Sequence, residues 1–138
     1  MDTNIIVDIL TVRKYELDAI SEIFTLAEKE MIDLYISESV ITTTFYVLRK
    51  EKKIDTLSAF REICKIVNVI PFAKDVLYHP VEKYKDMEDG ILYFLAAKAK
   101  MNYFITRNVK DFMFTFPSLS VMSPTNFLKD IYFNDLSK

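Results

Sequence analysis

Cysteine, histidine and glycine occur once each in the 138 residues, and tryptophan does not occur. The lone Cys64 excludes an internal disulfide and any multi-cysteine zinc site; among Ile63, Ile66 and Val67 it reads as core filling rather than as a nucleophile. With His79 as the only imidazole, sites built on two or three histidines are excluded, and a Ser-His-Asp triad would have to use a histidine held against Pro80. A single Gly90 excludes the Gly-rich dinucleotide fingerprint and the P-loop, because both bring backbone against phosphate at several positions without a Cβ. Long apolar runs are also missing. The longest, Ile91 to Ala97, is too short for a bilayer span or a signal h-region, so the expected location is cytoplasmic.

Neither sign of charge dominates: 18 Lys and Arg stand against 20 Asp and Glu, for a net charge of −2. The molecule as a whole therefore does not attract nucleic acid as a basic module does. The one basic cluster, Arg49, Lys50, Lys52 and Lys53, follows a predicted helix, where cations complement the dipole and solvate a turn. Carboxylate is what remains abundant. An apolar fraction of 51% with 28% charged residues fits one domain over residues 1–138. Folding at this length hides roughly 68% of the unfolded surface, enough to stand without metal or disulfide staples.

Periodicity predicts helices alternating with short strands. Ile5 to Leu10 is apolar except for Asp8, and Leu17 to Glu30 carries Leu17, Ile20, Ile23, Phe24 and Ala27 at helical spacing. Asp33 to Ile36 reads as a strand, with Ser37 as a cap leading into a helix from Glu38 to Lys50. A helix follows over Ile54 to Val67, a strand over Asn68 to Pro71, and helical turns between Lys74 and His79. Asp86 to Lys100 is helical again. Tyr103 to Ile105 and Leu119 to Val121 are strands, and Pro124 opens a closing helix through Phe127 and Leu128. The alternation implies an α/β layer fold with a parallel sheet. The 8 Tyr and 11 Phe fall mostly on apolar stripes and read as core; Phe112, Phe114 and Phe116 alternate beside Asp111, which fits either a stacking edge or a half-buried strand.

Ligands of open parallel sheets gather at the carboxyl ends of strands, so acids after a strand or at the next helix start would converge. Three places fit: Asp2-Thr3-Asn4 at the beginning; Asp86, Glu88 and Asp89 in one helical turn; and Asn108 with Asp111 after the strand ending at Ile105. Around the helix, Ile91, Leu92, Leu95, Ala96 and Ala99 form a stripe about 140° wide, with Asp89 at its border and Asp86 about 60° further toward solvent. Asp89 is thus the better ligand candidate. Asp86 as N-cap with Asp89 three residues on is also ordinary helix-start chemistry.

Five segments taken together resemble the successive signatures of PIN domains, in particular the bacterial VapC-like toxins. They are Asp2-Thr3-Asn4-Ile5-Ile6, Phe45-Tyr46-Val47-Leu48-Arg49-Lys50, Lys85-Asp86-Met87-Glu88-Asp89, Ile105-Thr106-Arg107-Asn108-Val109-Lys110-Asp111-Phe112, and Ser123-Pro124 ahead of Phe127-Leu128. The resemblance runs over essentially the whole chain in order. It implies a three-layer α/β/α sandwich with a central parallel sheet of four or five strands, and an acidic pocket that holds Mg²⁺ or Mn²⁺ and hydrolyses RNA. It further implies a homodimer and a small antitoxin partner. Hard cations of this kind take oxygen ligands and keep waters, so Asp and Asn without histidine suit them. Such a cation supplies a nucleophilic water and offsets charge on the phosphate. Without it, clustered carboxylates repel, and at least one should hold its proton more tightly than an isolated Asp.

Carried over by position, Asp2 matches the first metal carboxylate, supported by Thr3 and Asn4, and Asp89 matches a later one. Asp86 and Glu88 match extra acidic positions that bind metal through water or cap the helix. Asp111 is favoured for charge and Asn108 for orientation, with Thr106 beside them. Asp2, Asp89 and Asp111 are the expected catalytic set. The chain departs from the pattern twice. Thr43 stands where the family usually has an acid, and Glu38, five residues away and about 140° around the helix, cannot take its place. The chain also begins Met1-Asp2, where the family has several apolar residues forming the central strand; a truncated first strand and a looser Asp2 are therefore expected. The resemblance accordingly supports a metal-dependent ribonuclease of toxin type, or a catalytically impaired PIN domain that binds nucleic acid or a partner. A chain whose acids are only caps and solvated faces would instead be an unrelated α/β interaction domain.

Overall fold

Helices and strands form where caps and apolar runs alternate. The structure, a computed structural model, describes residues 1–11, 16–112 and 119–136. Within them lie α1 (Thr3–Leu10), α2 (Leu17–Glu28), β1 (Tyr35–Ser37), α3 (Glu38–Val47), α4 (Thr56–Ile63), β2 (Asn68–Ile70), α5 (Met87–Lys98), β3 (Tyr103–Ile105), β4 (Ser120–Met122) and α6 (Pro124–Ile131). Two 3₁₀ turns, Lys74–Tyr78 and Val81–Lys83, precede α5, and a third, Val109–Asp111, follows β3.

Local chemistry accounts for most boundaries. Asp55 caps α4 by accepting from the Ser58 amide at 3.1 Å and its hydroxyl at 2.8 Å. Ser123 caps α6 by accepting from the Asn126 amide at 3.2 Å, with Pro124 in the first turn. With so little glycine, α2 and α5 close on left-handed non-glycine residues, Glu30 at φ 59° and Lys100 at φ 61°. Each makes the paired C-terminal hydrogen bonds of a Schellman motif: Glu30 to Ala27 and Met31 to Leu26, then Lys100 to Ala97 and Met101 to Ala96.

Both strand pairings are parallel. Tyr35, Ile36 and Ser37 of β1 face Asn68, Val69 and Ile70 of β2, and Tyr103, Phe104 and Ile105 of β3 face Ser120, Val121 and Met122 of β4. Among the described residues the strands thus form two pairs rather than one continuous ladder. The first two residues of the chain reach both: the Met1 amine donates to Tyr35 O at 3.1 Å, and the Asp2 amide to Ile105 O at 3.0 Å.

The core gathers on α5. Six of its residues, Gly90 and Leu92 to Ala96, are buried, including Tyr93 and Phe94, which lie outside the anticipated stripe, whereas Ala99 is exposed. The stripe is wider than expected because the segment before α5 covers its other face: Tyr84 packs edge-on to Phe94, and His79 stacks on Phe94 at 4.7 Å. Gly90 permits this approach, since a Cβ there would lie 2.9 Å from Tyr84 Cδ2 and 3.1 Å from Val81 O. Two aromatic and cysteine expectations change. Phe112 is buried against Phe104 and so offers no stacking edge, while Phe114 and Phe116 lie outside the described residues. Cys64 is exposed, because the buried face of α4 runs through Thr56, Phe60 and Ile63 and the C-cap Cys64 falls to the side of it.

Candidate active site

Asp2 is held at the carboxyl end of β3. Its amide continues the strand ladder to Ile105 O, its φ and ψ of −77° and 156° are extended, and the helix starts at the next residue. Only 3% of Asp2 is exposed, and its Oδ2 accepts from the Thr106 hydroxyl at 2.8 Å. Thr106, itself fully buried, is the hub of this corner: its amide donates to Met122 O at 3.0 Å, and its Oγ1 accepts from the Asn108 amide at 3.1 Å. One hydroxyl thus ties the first acid to the loop that carries Asn108 and Asp111. Asp2 is therefore firmly anchored, contrary to the expectation of a loosely held side chain.

The first turn of α5 meets Asp2 from the other side. Asp86 is the N-cap and accepts from the Glu88 amide at 2.9 Å; it is exposed, as its angle on the helix anticipated. Glu88 and Asp89 are half-buried. Thr3 Oγ1 lies 3.5 Å from Glu88 Oε1, and the Thr43 hydroxyl of α3 is a second hydrogen-bonding neighbour of the same carboxylate. Thr43, read from the sequence as a gap in the acidic set, therefore faces an acid supplied by another helix. Glu38 is occupied elsewhere, accepting from the Phe72 amide at 2.7 Å.

Crowding of these carboxylates appears in their affinity for protons. Burial, then repulsion from Asp2, Asp86, Asp111 and Glu88, pushes the Asp89 carboxyl up to about 7. Burial raises Asp2 as well, against the opposing hydrogen bond from Thr106 and the nearby Met1 amine and Arg107. Glu88 is raised by burial and by Asp86 and Asp2. The expectation that at least one clustered acid holds its proton more tightly than an isolated Asp is met at Asp89. Asp111, on the turn Val109–Asp111, contributes to the raised Asp89, and Asn108 precedes that turn with its side chain exposed and not bonded to it as a cap. Asn4 is half-buried in the first turn of α1.

Sequence reasoning missed one member of this neighbourhood. Arg107 Nη1 donates to both oxygens of Asp8, at 3.0 and 2.9 Å, and Asp8 is 1% exposed. The guanidinium also favours the charged form of Asp2. A signal was present: Asp8 is the single charge in the apolar run of α1, and a buried charge requires a partner.

The donor set is hard oxygen throughout, without His79 or Cys64, which suits a divalent cation of the Mg²⁺ class. Among the described residues no three His, Cys, Asp or Glu side chains converge into a direct metal cage. Mg²⁺ retains several waters and does not need one. Among the described residues no helix is long and apolar enough to cross a membrane.

Comparison with known proteins agrees with this geometry. The family model for the PIN domain matches residues 1–110. Ribonuclease VapC1 of Aquifex aeolicus (strain VF5) is 34% identical over 137 residues, which covers 92% of this chain and 90% of that protein. An anchored Asp2 at a strand end, an acidic turn opening α5, and a match over most of the sequence lead to one conclusion: this chain belongs to the PIN domain family.

Proposed function

We propose that this protein is a divalent-cation-dependent endoribonuclease of the VapC toxin type, hydrolysing RNA phosphodiester bonds. The observation that carries the reading is Asp89, a half-buried acid whose pKa is raised to about 7 among Asp2, Asp86, Glu88 and Asp111, beside an Asp2 locked by Thr106. Similarity to a ribonuclease over most of the chain supports the same activity.

In this reading Asp2, Asp89 and Asp111 are the catalytic acids. They hold Mg²⁺ or Mn²⁺ together with Asp86 and Asn108, which act through water from the more exposed rim. When bound, the cation supplies an activated water and neutralises charge on the scissile phosphate. Thr106 fixes the rotamer of Asp2 so that the pocket is preorganised before substrate arrives. A bound cation would favour the ionised form of Asp89, opposing the burial and the repulsion that raise its carboxyl. Thr3, Asn4, Thr43 and Glu88 line the pocket as supporting groups.

The two strand pairs, joined through Met1 and Asp2, read as halves of one central sheet in an α/β/α sandwich that forms a single domain over 1–138. The reading also includes a cytoplasmic homodimer restrained by a small antitoxin protein. Phe45, Tyr46 and Val47, exposed at the end of α3, support such a contact. Incubation with RNA, with and without Mn²⁺ or Mg²⁺, tests the activity. Cation-dependent cleavage lost in Asp89→Asn is expected; cation binding without any cleavage would leave only a binding module.

A further inference from the structure

Glu88 occupies an unusual position for a glutamate in the first turn of a helix. Such acids ordinarily extend into water and act only through the helix dipole. Here the side chain is drawn between helices. Thr3 Oγ1 of α1 lies 3.5 Å from its Oε1, the Thr43 hydroxyl of α3 is its second neighbour, and Asp2 and Asp86 are close enough to repel it. Two threonines on separate helices thus border this half-buried carboxylate, with Asp2 nearby. Asp86, two residues earlier, already fills the capping role by accepting from the Glu88 amide. The Glu88 side chain is not needed as the cap.

We propose that Glu88, held by Thr3 and Thr43, is a cation-holding acid of the active site, and that it delivers from α5 the negative charge that α3 lacks at Thr43. The inference rests on the ribonuclease reading above and deepens it. Thr43 and Glu88 act as a pair. The threonine brings no charge of its own, but its hydroxyl meets the Glu88 carboxylate near Asp2. Divalent-cation affinity depends on how many charges surround the ion, so moving one acid between neighbouring helices preserves the count while changing the element that carries it.

Relocating the charge tests this. Mn²⁺ titration calorimetry is run on the full chain as wild type, Glu88→Gln, the double variant Thr43→Glu/Glu88→Gln, and Asp89→Asn, with Glu38→Gln as a control acid on α3. Glu88→Gln is expected to weaken Mn²⁺ at least roughly 10-fold, the double variant to regain most of that loss, and Glu38→Gln to match wild type. Melting of the cation-free protein gives an independent sign. Glu88→Gln raises Tm if it relieves repulsion within the cluster, whereas loss of a mere helix-start acid lowers it. Wild-type Mn²⁺ affinity in a folded Glu88→Gln, with its Tm lowered, would overturn the inference. If Asp89→Asn abolishes binding while Glu88→Gln does not, the ribonuclease reading stands and this inference alone falls. If wild type binds no Mn²⁺, both fall.

Discussion

The ion pair between Asp8 and Arg107 should respond asymmetrically to mutation. Asp8 is 1% exposed, and its side chain takes both hydrogen bonds from one Arg107 nitrogen, whereas the Arg107 side chain is 26% exposed. Arg107→Met removes two hydrogen bonds and a positive charge from beside a carboxylate with almost no access to water. Breaking a buried pair in this way costs about 3–5 kcal/mol. Asp8→Asn leaves the Arg107 side chain, which reaches solvent, facing an amide oxygen as acceptor, so the cost is about 1–2 kcal/mol. For a domain with a net stability of about 5–15 kcal/mol, the first change is severe and the second tolerable. Because Arg107 also favours the charged form of Asp2, Arg107→Met should disturb the active site beyond its cost in stability. Urea unfolding of both variants and of the double variant, with constant m-values, measures this. An Arg107→Met cost no greater than that of Asp8→Asn would refute the reasoning.

Four further outcomes can be checked independently. Gly90→Ala should lower stability by about 1–3 kcal/mol despite alanine's better helix propensity, because the new Cβ meets Tyr84 and Val81 O at 2.9 and 3.1 Å. Lys100→Gly should raise it by about 0.5–1 kcal/mol by relieving a left-handed lysine; thermal melts showing the same sign for both would contradict this account. Thr106→Val removes the hydrogen bond to Asp2 Oδ2 and the acceptor for the Asn108 amide, so Mn²⁺ affinity should fall roughly 10–100-fold while the fold persists by circular dichroism. As for pH, Asp89 binds its proton more tightly folded than unfolded, so its contribution to cation-free stability falls as pH rises from 3.8 toward about 7 and is level above that range. The buried Met1 amine, lowered to about 6 from 8.0, acts in the opposite direction between those values. Melts should therefore show a decline in Tm from about pH 4.5 to 6 that saturating Mn²⁺ abolishes; a steady rise without cation would contradict it.

Much of the fold was legible because its signals are local. Asp86, Asp55 and Ser123 cap helices through bonds spanning two or three residues, and Pro124 sits in a first turn where its missing amide costs nothing. Residues less determined by neighbours were read less well. Cys64 has apolar neighbours in sequence but is exposed, because it falls to the side of the face of α4 that buries Phe60 and Ile63. The second buried face of α5 depends on Tyr84 and on turns that no periodicity announces. At the candidate site, motif and helical angle single out Asp2 and Asp89, and the structure brings them close enough for Asp2 to raise the Asp89 carboxyl. The Asp8–Arg107 pair, 99 residues apart, and the meeting of Thr3 with Glu88, 85 apart, depend on chain crossings that spacing does not encode.

The most direct test of the central claim is Mn²⁺ titration calorimetry at pH 7, in two buffers of different ionisation heat, on wild type and Asp89→Asn. With the Asp89 carboxyl held at about 7, half-protonated sites must release protons as the cation enters. The account predicts saturable binding to wild type with proton release on the order of half an equivalent per site, and loss of both in Asp89→Asn. No binding to wild type at millimolar Mn²⁺, or binding that Asp89→Asn leaves unchanged, would contradict it.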